Sequence, residues 1–257
     1  MFGATAVIGA TGFIGGTLAR TLRVAAAYHS RNIETIAGQR YDLIVCAGAP
    51  AEKWRANQQP DADRATIQRL IDALATVEAR RVVLISTVDV FGTPSGIDED
   101  TPVERAAATP YGRHRYDLER SVVGRFQHTI LRLPALFGPG LKKNLVFDLL
   151  HGRPTDGVAL DSVFQWYDVA RLADDLRVAV REDLALAHLA VEGISVRRLA
   201  AEAFGLALPE RAAAPVRYDM QTRHAAVFGG RGRYLEDAAT VQARLRVFVE
   251  ASGWTRP

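Results

Sequence analysis

Cysteine is nearly absent from this 257-residue chain: Cys46 is the only one. An intramolecular disulfide and a cysteine-clustered metal site are therefore excluded. With no histidine beside it in sequence, Cys46 reads as a small buried apolar residue rather than a nucleophile. Long hydrophobic runs are missing too. None approaches the ~20 residues of a membrane span, and the start, Met1-Phe2-Gly3-Ala4-Thr5, lacks the basic segment of a secretory signal. A soluble, cytoplasmic protein with no membrane partner is expected. Neither sign of charge dominates. The 32 Lys+Arg face 29 Asp+Glu, and a net charge of +3 is no footprint of a nucleic-acid partner. The six histidines are scattered, without HExxH or comparable ligand spacing, so no metal is expected. There is no G-x-S-x-G elbow for acyl transfer.

What is present is an alternation of short apolar runs and helical patterns. Strands are predicted at 4–8, 24–28, 41–46, 81–86, 128–134 and 186–191. Helices are predicted at 17–23, 61–79, 110–126, 168–180, 195–204 and 239–251. Ile67, Leu70, Ile71 and Leu74 recur at helical spacing, as do Leu118, Val122 and Phe126. Ser195 is placed as an N-cap and Gly205 as a stop. Strands alternating with helices imply an α/β fold, a doubly wound parallel sheet covered on both faces. Residues 1–140 plus 168–191 are assigned to the sheet domain. Residues 141–167 plus 192–257 are assigned to a small C-terminal cap.

The strongest local motif is Gly9-Ala10-Thr11-Gly12-Phe13-Ile14-Gly15, between the first strand and a helix. Glycine there lets the backbone turn sharply and approach a pyrophosphate, to which the helix N-terminus presents free N–H groups. No Lys-Ser/Thr pair follows, so it is not a Walker A loop. The second strand should discriminate NAD from NADP at its end. There the sequence reads Tyr28-His29-Ser30-Arg31-Asn32-Ile33-Glu34, with no carboxylate at the strand end itself. Ser30 and Arg31 suit a 2′-phosphate, which favours NADP; NAD stays open through Glu34, which reads equally as a solvated helix-start carboxylate.

Three further stretches carry a resemblance: Leu84-Ile85-Ser86-Thr87-Val88-Asp89-Val90-Phe91-Gly92, Tyr111-Gly112-Arg113-His114-Arg115 with Leu118-Glu119, and Leu131-Arg132-Leu133-Pro134-Ala135-Leu136-Phe137-Gly138-Pro139-Gly140. With the glycine loop they resemble the extended short-chain dehydrogenase/reductase superfamily, in its NAD-dependent epimerase/dehydratase branch. Tyr167-Asp168-Val169-Ala170 adds a weaker likeness. The resemblance implies a Rossmann-type fold and hydride transfer at a hydroxyl or carbonyl carbon, largely of nucleotide sugars. It implies that Tyr111 exchanges the hydroxyl proton and that Thr87 orients the reacting oxygen. A lysine four residues after the tyrosine is the family pattern; here that residue is Arg115. Arginine keeps the positive charge but has a bulkier, planar head. A working variant, altered chemistry and a non-catalytic NAD(P)-binding sensor or partner protein all stay open. The resemblance also implies cofactor contacts from Ala47, Gly48 and Ala49, and from Pro134 and Leu136.

Lys142, Lys143 and Asn144 suit an anionic group such as a diphosphate, or form an exposed loop. Gln165, within Phe164-Gln165-Trp166-Tyr167, lines a pocket or belongs to the core. Arg231, in Gly229-Gly230-Arg231-Gly232-Arg233, is a phosphate clamp or a turn residue. Ser195 to Glu202 looks like the first half of a helix-turn-helix, but Pro209 and Pro215 interrupt what would be its recognition helix. The expected partner is a small molecule, with a nucleotide-activated sugar as the candidate; a homodimer is left open. Only residues 16–40 separate Gly15 from Tyr41, too few for the usual third strand and its crossover. The sheet is therefore expected to be shortened at the edge after strand 2.

Overall fold

The computed structural model describes residues 3–210 and 212–255. Its elements in chain order are β1 (Thr5–Ile8), α1 (Phe13–Thr21), β2 (Ala26–Tyr28), β3 (Arg40–Cys46), α2 (Lys53–Gln58), α3 (Pro60–Ala75), β4 (Glu78–Thr87) and β5 (Ser95–Ile97). These are followed by α4 (Pro110–Val123), β6 (His128–Leu133), β7 (Ala135–Phe137), α5 (Leu145–Leu150), β8 (Val163–Phe164), β9 (Trp166–Asp168) and α6 (Leu172–Arg181). The chain closes with β10 (Leu186–His188), β11 (Ile194–Ser195), α7 (Val196–Phe204), β12 (Asp219–Met220) and α8 (Ala238–Ala251). Two compact units result. The first comprises Met1–Thr93, Pro102–Arg132 and Leu172–Ala187; the second comprises Pro94–Thr101, Leu133–Arg171 and His188–Pro257.

The central sheet is parallel and six-stranded, ordered β10-β6-β4-β3-β1-β2. It is Rossmann-like, and β2 is its edge, so the shortening expected after strand 2 is there. Strand alternation explains its cover. Ala6, Ile8, Ile44, Cys46, Val82, Leu84 and Ile130 share one face, where Ile67, Leu70 and Leu74 of α3 and Leu118 and Val122 of α4 seal them. Residues of the other parity, Val7, Leu43, Val45 and Val83, are equally buried. Helices α1 and α6 of this unit contribute buried Leu18, Leu172 and Leu176. Each such side chain withdrawn from water contributes roughly 1.5–3 kcal/mol.

Several boundaries differ from the sequence expectations. The first helix starts at Phe13 rather than 17, because the glycines at 15 and 16 are already helical and buried. Helix α3 stops at Ala75, not 79; residues from Glu78 pair with Arg40 and its neighbours in β3. Asp168 ends β9, and a 3-10 turn at Val169–Arg171 precedes α6, so the helix expected from 168 begins at Leu172. The strand expected at 186–191 ends at His188. In α7 the caps are as expected: the Ser195 hydroxyl accepts the Arg198 N–H, and Gly205 closes the helix at φ 63°.

Candidate active site

The glycine loop sits where β1 and β3 lie side by side and the strand order reverses, the position at which doubly wound sheets bind ligands. Gly9 has φ +89°, and a Cβ there would lie 2.3 Å from the Ala47 carbonyl oxygen. A Cβ on Gly15 would lie 2.1 Å from the Gly9 carbonyl oxygen. Backbone packs against backbone, and only glycine fits. Helix α1 opens at Phe13 with Gly12 as N-cap, which brings no side-chain acceptor. The N–H groups of Phe13, Ile14 and Gly15 in that first turn have no intrahelical acceptor. Thr11 and Gly12 are exposed beside them. The loop thus fits the pyrophosphate of a dinucleotide. Residues 47–49 follow β3 directly, and Ala47 and Gly48 close against Gly9.

Beyond β2, Ser30 and Arg31 are both exposed. Glu34 is tied to Arg69, whose Nε donates to it at 2.8 Å, while the Arg69 NH2 group also reaches the Ser30 carbonyl at 3.0 Å. The hydrogen bond from Arg69 holds the Glu34 carboxyl below its usual range.

Thr87 ends β4. Its hydroxyl accepts the Asp89 N–H at 3.2 Å. Tyr111 is in the first turn of α4, which Pro110 and the Thr109 cap initiate. Its ring is buried, and its N–H is accepted by the Asn57 side chain of α2 at 3.0 Å. Burial pushes the Tyr111 hydroxyl above its usual pKa; the charge of Arg115 and a hydrogen bond from Thr87 act in the opposite sense. The structure therefore brings Thr87 and Tyr111 together.

Arg115 is one turn further along α4, only 3% exposed. Its guanidinium carbon is 3.9 Å from the centroid of the Tyr111 ring, a stacked cation–π contact. Both terminal nitrogens bind Asp63 of α3, NH2 at 2.9 Å to Oδ1 and NH1 to Oδ2. NH1 also donates to the Tyr111 carbonyl at 3.2 Å, and NH2 to the Pro50 carbonyl. His114 contacts the same Asp63 carboxylate at 2.7 Å. Asp63, His114 and Pro50 were not singled out from sequence. Asp63 carried a signal, since it stands four residues before Ile67 on the buried stripe of α3. A second buried pair supports the site from below. Arg132 of β6 forks onto Glu119 of α4 at 3.0 and 2.6 Å, and the Ser86 hydroxyl donates to the same carboxylate at 2.5 Å.

The remaining candidates lie in the second unit. Pro134 is buried between β6 and β7, and Leu136 pairs with Tyr167 of β9. Lys142 and Lys143 are exposed. They follow Gly140 and Leu141, which line a cleft of ≈ 380 Å³ with Phe147, His151, Phe248 and Trp254. Asn144 caps α5, accepting the Phe147 N–H at 3.2 Å and donating to the Leu136 carbonyl at 2.8 Å. Gln165 is buried; its amide donates to the Val191 and Met220 carbonyls and accepts the Met220 N–H, so it is committed to the fold. Arg231 is exposed in a tight turn bridged to Tyr234. No helix among the described residues is long and apolar enough to cross a membrane.

A parallel sheet with a glycine cradle at its switch point defines a dinucleotide-binding protein of the Rossmann class. The chain belongs to the NAD dependent epimerase/dehydratase family, whose model matches residues 5–150, more than half of its length. No curated protein matches it. Among solved structures it is similar to MoeE5 in complex with UDP-glucuronic acid and NAD, at TM-score 0.77 and 21% identity over 98% of this chain and 99% of that one. It is similar to dTDP-4-dehydrorhamnose reductase from Bacillus anthracis in complex with NADP, at TM-score 0.74 and 17% identity over 98% and 99%. A third likeness is to UDP-N-acetylglucosamine 4-epimerase from Methanobrevibacter ruminantium, at TM-score 0.76 and 13% identity over 96% and 97%. These identities establish the shared fold. The family membership makes the cofactor a nicotinamide dinucleotide.

Proposed function

We propose that this chain is an NAD(P)-dependent enzyme of the epimerase, dehydratase or reductase type, acting at a hydroxyl or carbonyl carbon of a nucleotide-activated sugar. The observation that carries this reading is the meeting of Thr87 with a buried Tyr111 whose ring is stacked under Arg115. The nucleotide-sugar substrate is carried over from neighbours whose complexes hold UDP-glucose or UDP-glucuronic acid.

The bound nicotinamide supplies hydride acceptance or donation. The chain's own residues supply the rest. Residues 9–15 bind the pyrophosphate through backbone N–H groups, and residues 47–49, Pro134 and Leu136 are assigned to the remainder of the cofactor. The Thr87 hydroxyl orients the reacting oxygen, and the Tyr111 hydroxyl takes or returns its proton. Arg115 holds the tyrosine ring in place through its face and the backbone carbonyl. Lys142, Lys143 and Arg231 are assigned to the anionic part of the substrate. NADP is the proposed cofactor form, because Ser30 and Arg31 are exposed at the end of β2 while Glu34 is engaged by Arg69.

One observation favours a second reading, an NAD(P)-binding sensor without turnover: the terminal nitrogens of Arg115 are both occupied by protein oxygens. Fluorescence titration with NADPH and NADH, followed by turnover assays on a panel of nucleotide sugars, separates the two. The enzyme reading expects NADPH to bind more tightly. It also expects Thr87→Val and Tyr111→Phe to abolish turnover while sparing cofactor binding. Full activity in either variant refutes the assigned roles. Binding without turnover on any carbonyl or hydroxyl substrate favours the sensor.

A further inference from the structure

A buried phenol exchanges a proton readily only where a cation offsets the charge left on its oxygen. Arg115 supplies part of that offset from over the ring face. Its terminal nitrogens go to Asp63, the Pro50 carbonyl and the Tyr111 carbonyl, and its guanidinium lies over the ring face.

A second cation comes from α2. This short helix is pinned to the start of α4 at two points: Arg115 binds the Pro50 carbonyl just ahead of it, and Asn57 accepts the Tyr111 N–H. Lys53 stands four residues before Asn57, on the same face of the helix. Its ammonium is 2.7 Å from the Asp89 carboxylate, and the Asp89 N–H is bound to the Thr87 hydroxyl. Lys53, Asp89 and Thr87 therefore converge from two separate elements on the place where Tyr111 does its chemistry. The Lys53 side chain is 41% exposed, whereas Arg115 is 3% exposed.

We propose that Lys53 is a positioning residue of this site: its ammonium, held by Asp89, serves the Tyr111 hydroxyl as a second cation, beside Arg115, that favours its phenolate form. The proposal rests on the reading of Tyr111 as the proton-transfer group. The charged groups around the hydroxyl sort by sign. Burial pushes its pKa up; Arg115 pulls it down, Asp89 pushes it up, and Lys53 pulls it down. Asp63 and His114 act one shell out, through Arg115.

The test reads the phenol itself, without substrate or turnover. A difluorotyrosine placed at position 111 titrates below the alkaline range, and its fluorine resonance reports the phenolate. In the full-length protein, Lys53→Met is expected to raise the midpoint by about one pH unit, a tenfold change in ionised fraction. Lys53→Arg is expected to restore most of it. Asp89→Asn is expected to move it the other way. A midpoint unmoved by Lys53→Met, or displaced in the same direction by Lys53→Met and Asp89→Asn, overturns the proposal. Opposite displacements in a protein that turns over no substrate support the Lys53 assignment and count against the enzyme reading alone. Where turnover is found, Lys53→Met is expected to lower kcat more than it raises KM, with the acidic limb of the pH profile displaced upward.

Discussion

Asp63 and Arg115, 52 residues apart in the chain, form a buried two-pronged ion pair that fastens α3 to α4 directly behind Tyr111. Both side chains are nearly sealed from water, at 6% and 3% exposure. Taking one partner away strands the other as an uncompensated charge. Asp63→Asn is therefore expected to cost about 3–5 kcal/mol, measured by urea unfolding. The double variant Asp63→Val with Arg115→Met, which removes both charges, is expected to recover most of that loss. A stability in the single variant within about 0.5 kcal/mol of wild type would contradict the account.

The same carboxylate sets an acid limit. Burial raises its pKa, but the hydrogen bonds and charges of Arg115 and His114 outweigh this and leave it below the usual range. The unfolded chain, with its ordinary pKa near about 4, then binds the proton more tightly than the native one. The stabilisation is full above that value and is lost as pH falls through it toward the lowered native value. Urea midpoints taken from neutrality down through the carboxylate range are expected to fall in wild type. The fall is expected to be shallower in Asp63→Asn.

Glu119 makes the corresponding prediction for the sheet. It binds Ser86 of β4 and Arg132 of β6 from α4, so one carboxylate joins two strands and a helix. Glu119→Ala removes the carboxylate that Arg132 forks onto, at a cost of about 3–5 kcal/mol. In a chain of this size that is a fall in Tm on the order of 10 °C by calorimetry. An unchanged Tm would show that the pair contributes nothing to stability.

Gly15→Ala tests the cradle. Its Cβ would meet the Gly9 carbonyl oxygen at 2.1 Å, and backbone must give way. Wild type is expected to gain about 2.7 kcal/mol of stability at a cofactor concentration one hundred times Kd. The variant is expected to show no such gain, in paired melting curves with and without NADPH. A full gain in Gly15→Ala would move the binding site away from this loop.

Sheet strands and long helices were legible because period-two and period-3.6 patterns are local. The edge at β2 was legible from chain length alone, since residues 16–40 hold no room for another crossover. Boundaries were less so. The end of α3 at Ala75 is unmarked by glycine or proline, and the first residues of β4, Glu78 to Arg81, are as polar as a helix surface. Helix α2 was invisible: of its six residues only Ala56 is buried, and its position is fixed by distant partners, Tyr111 and Arg115. The site divides in the same way. Glycines between strand and helix announce themselves, and Thr87 and Tyr111 came from the family resemblance. What Arg115 does could not be read without Asp63, because a pair between two helices leaves no periodicity behind. Only a carboxylate on an apolar stripe hinted at it.

Cys46 lies at the end of β3, wholly buried between β1 and β4, and burial pushes its thiol up to about 11. As the chain's sole cysteine, it is a natural reporter on the sheet. A thiol reagent reaches it only when those strands part, so the labelling rate clocks the opening of the nucleotide-binding core in unmodified protein. Ala47 and Gly48 follow it directly and pack on Gly9. A dinucleotide that fills the cradle is therefore expected to slow that clock by as much as it tightens the fold.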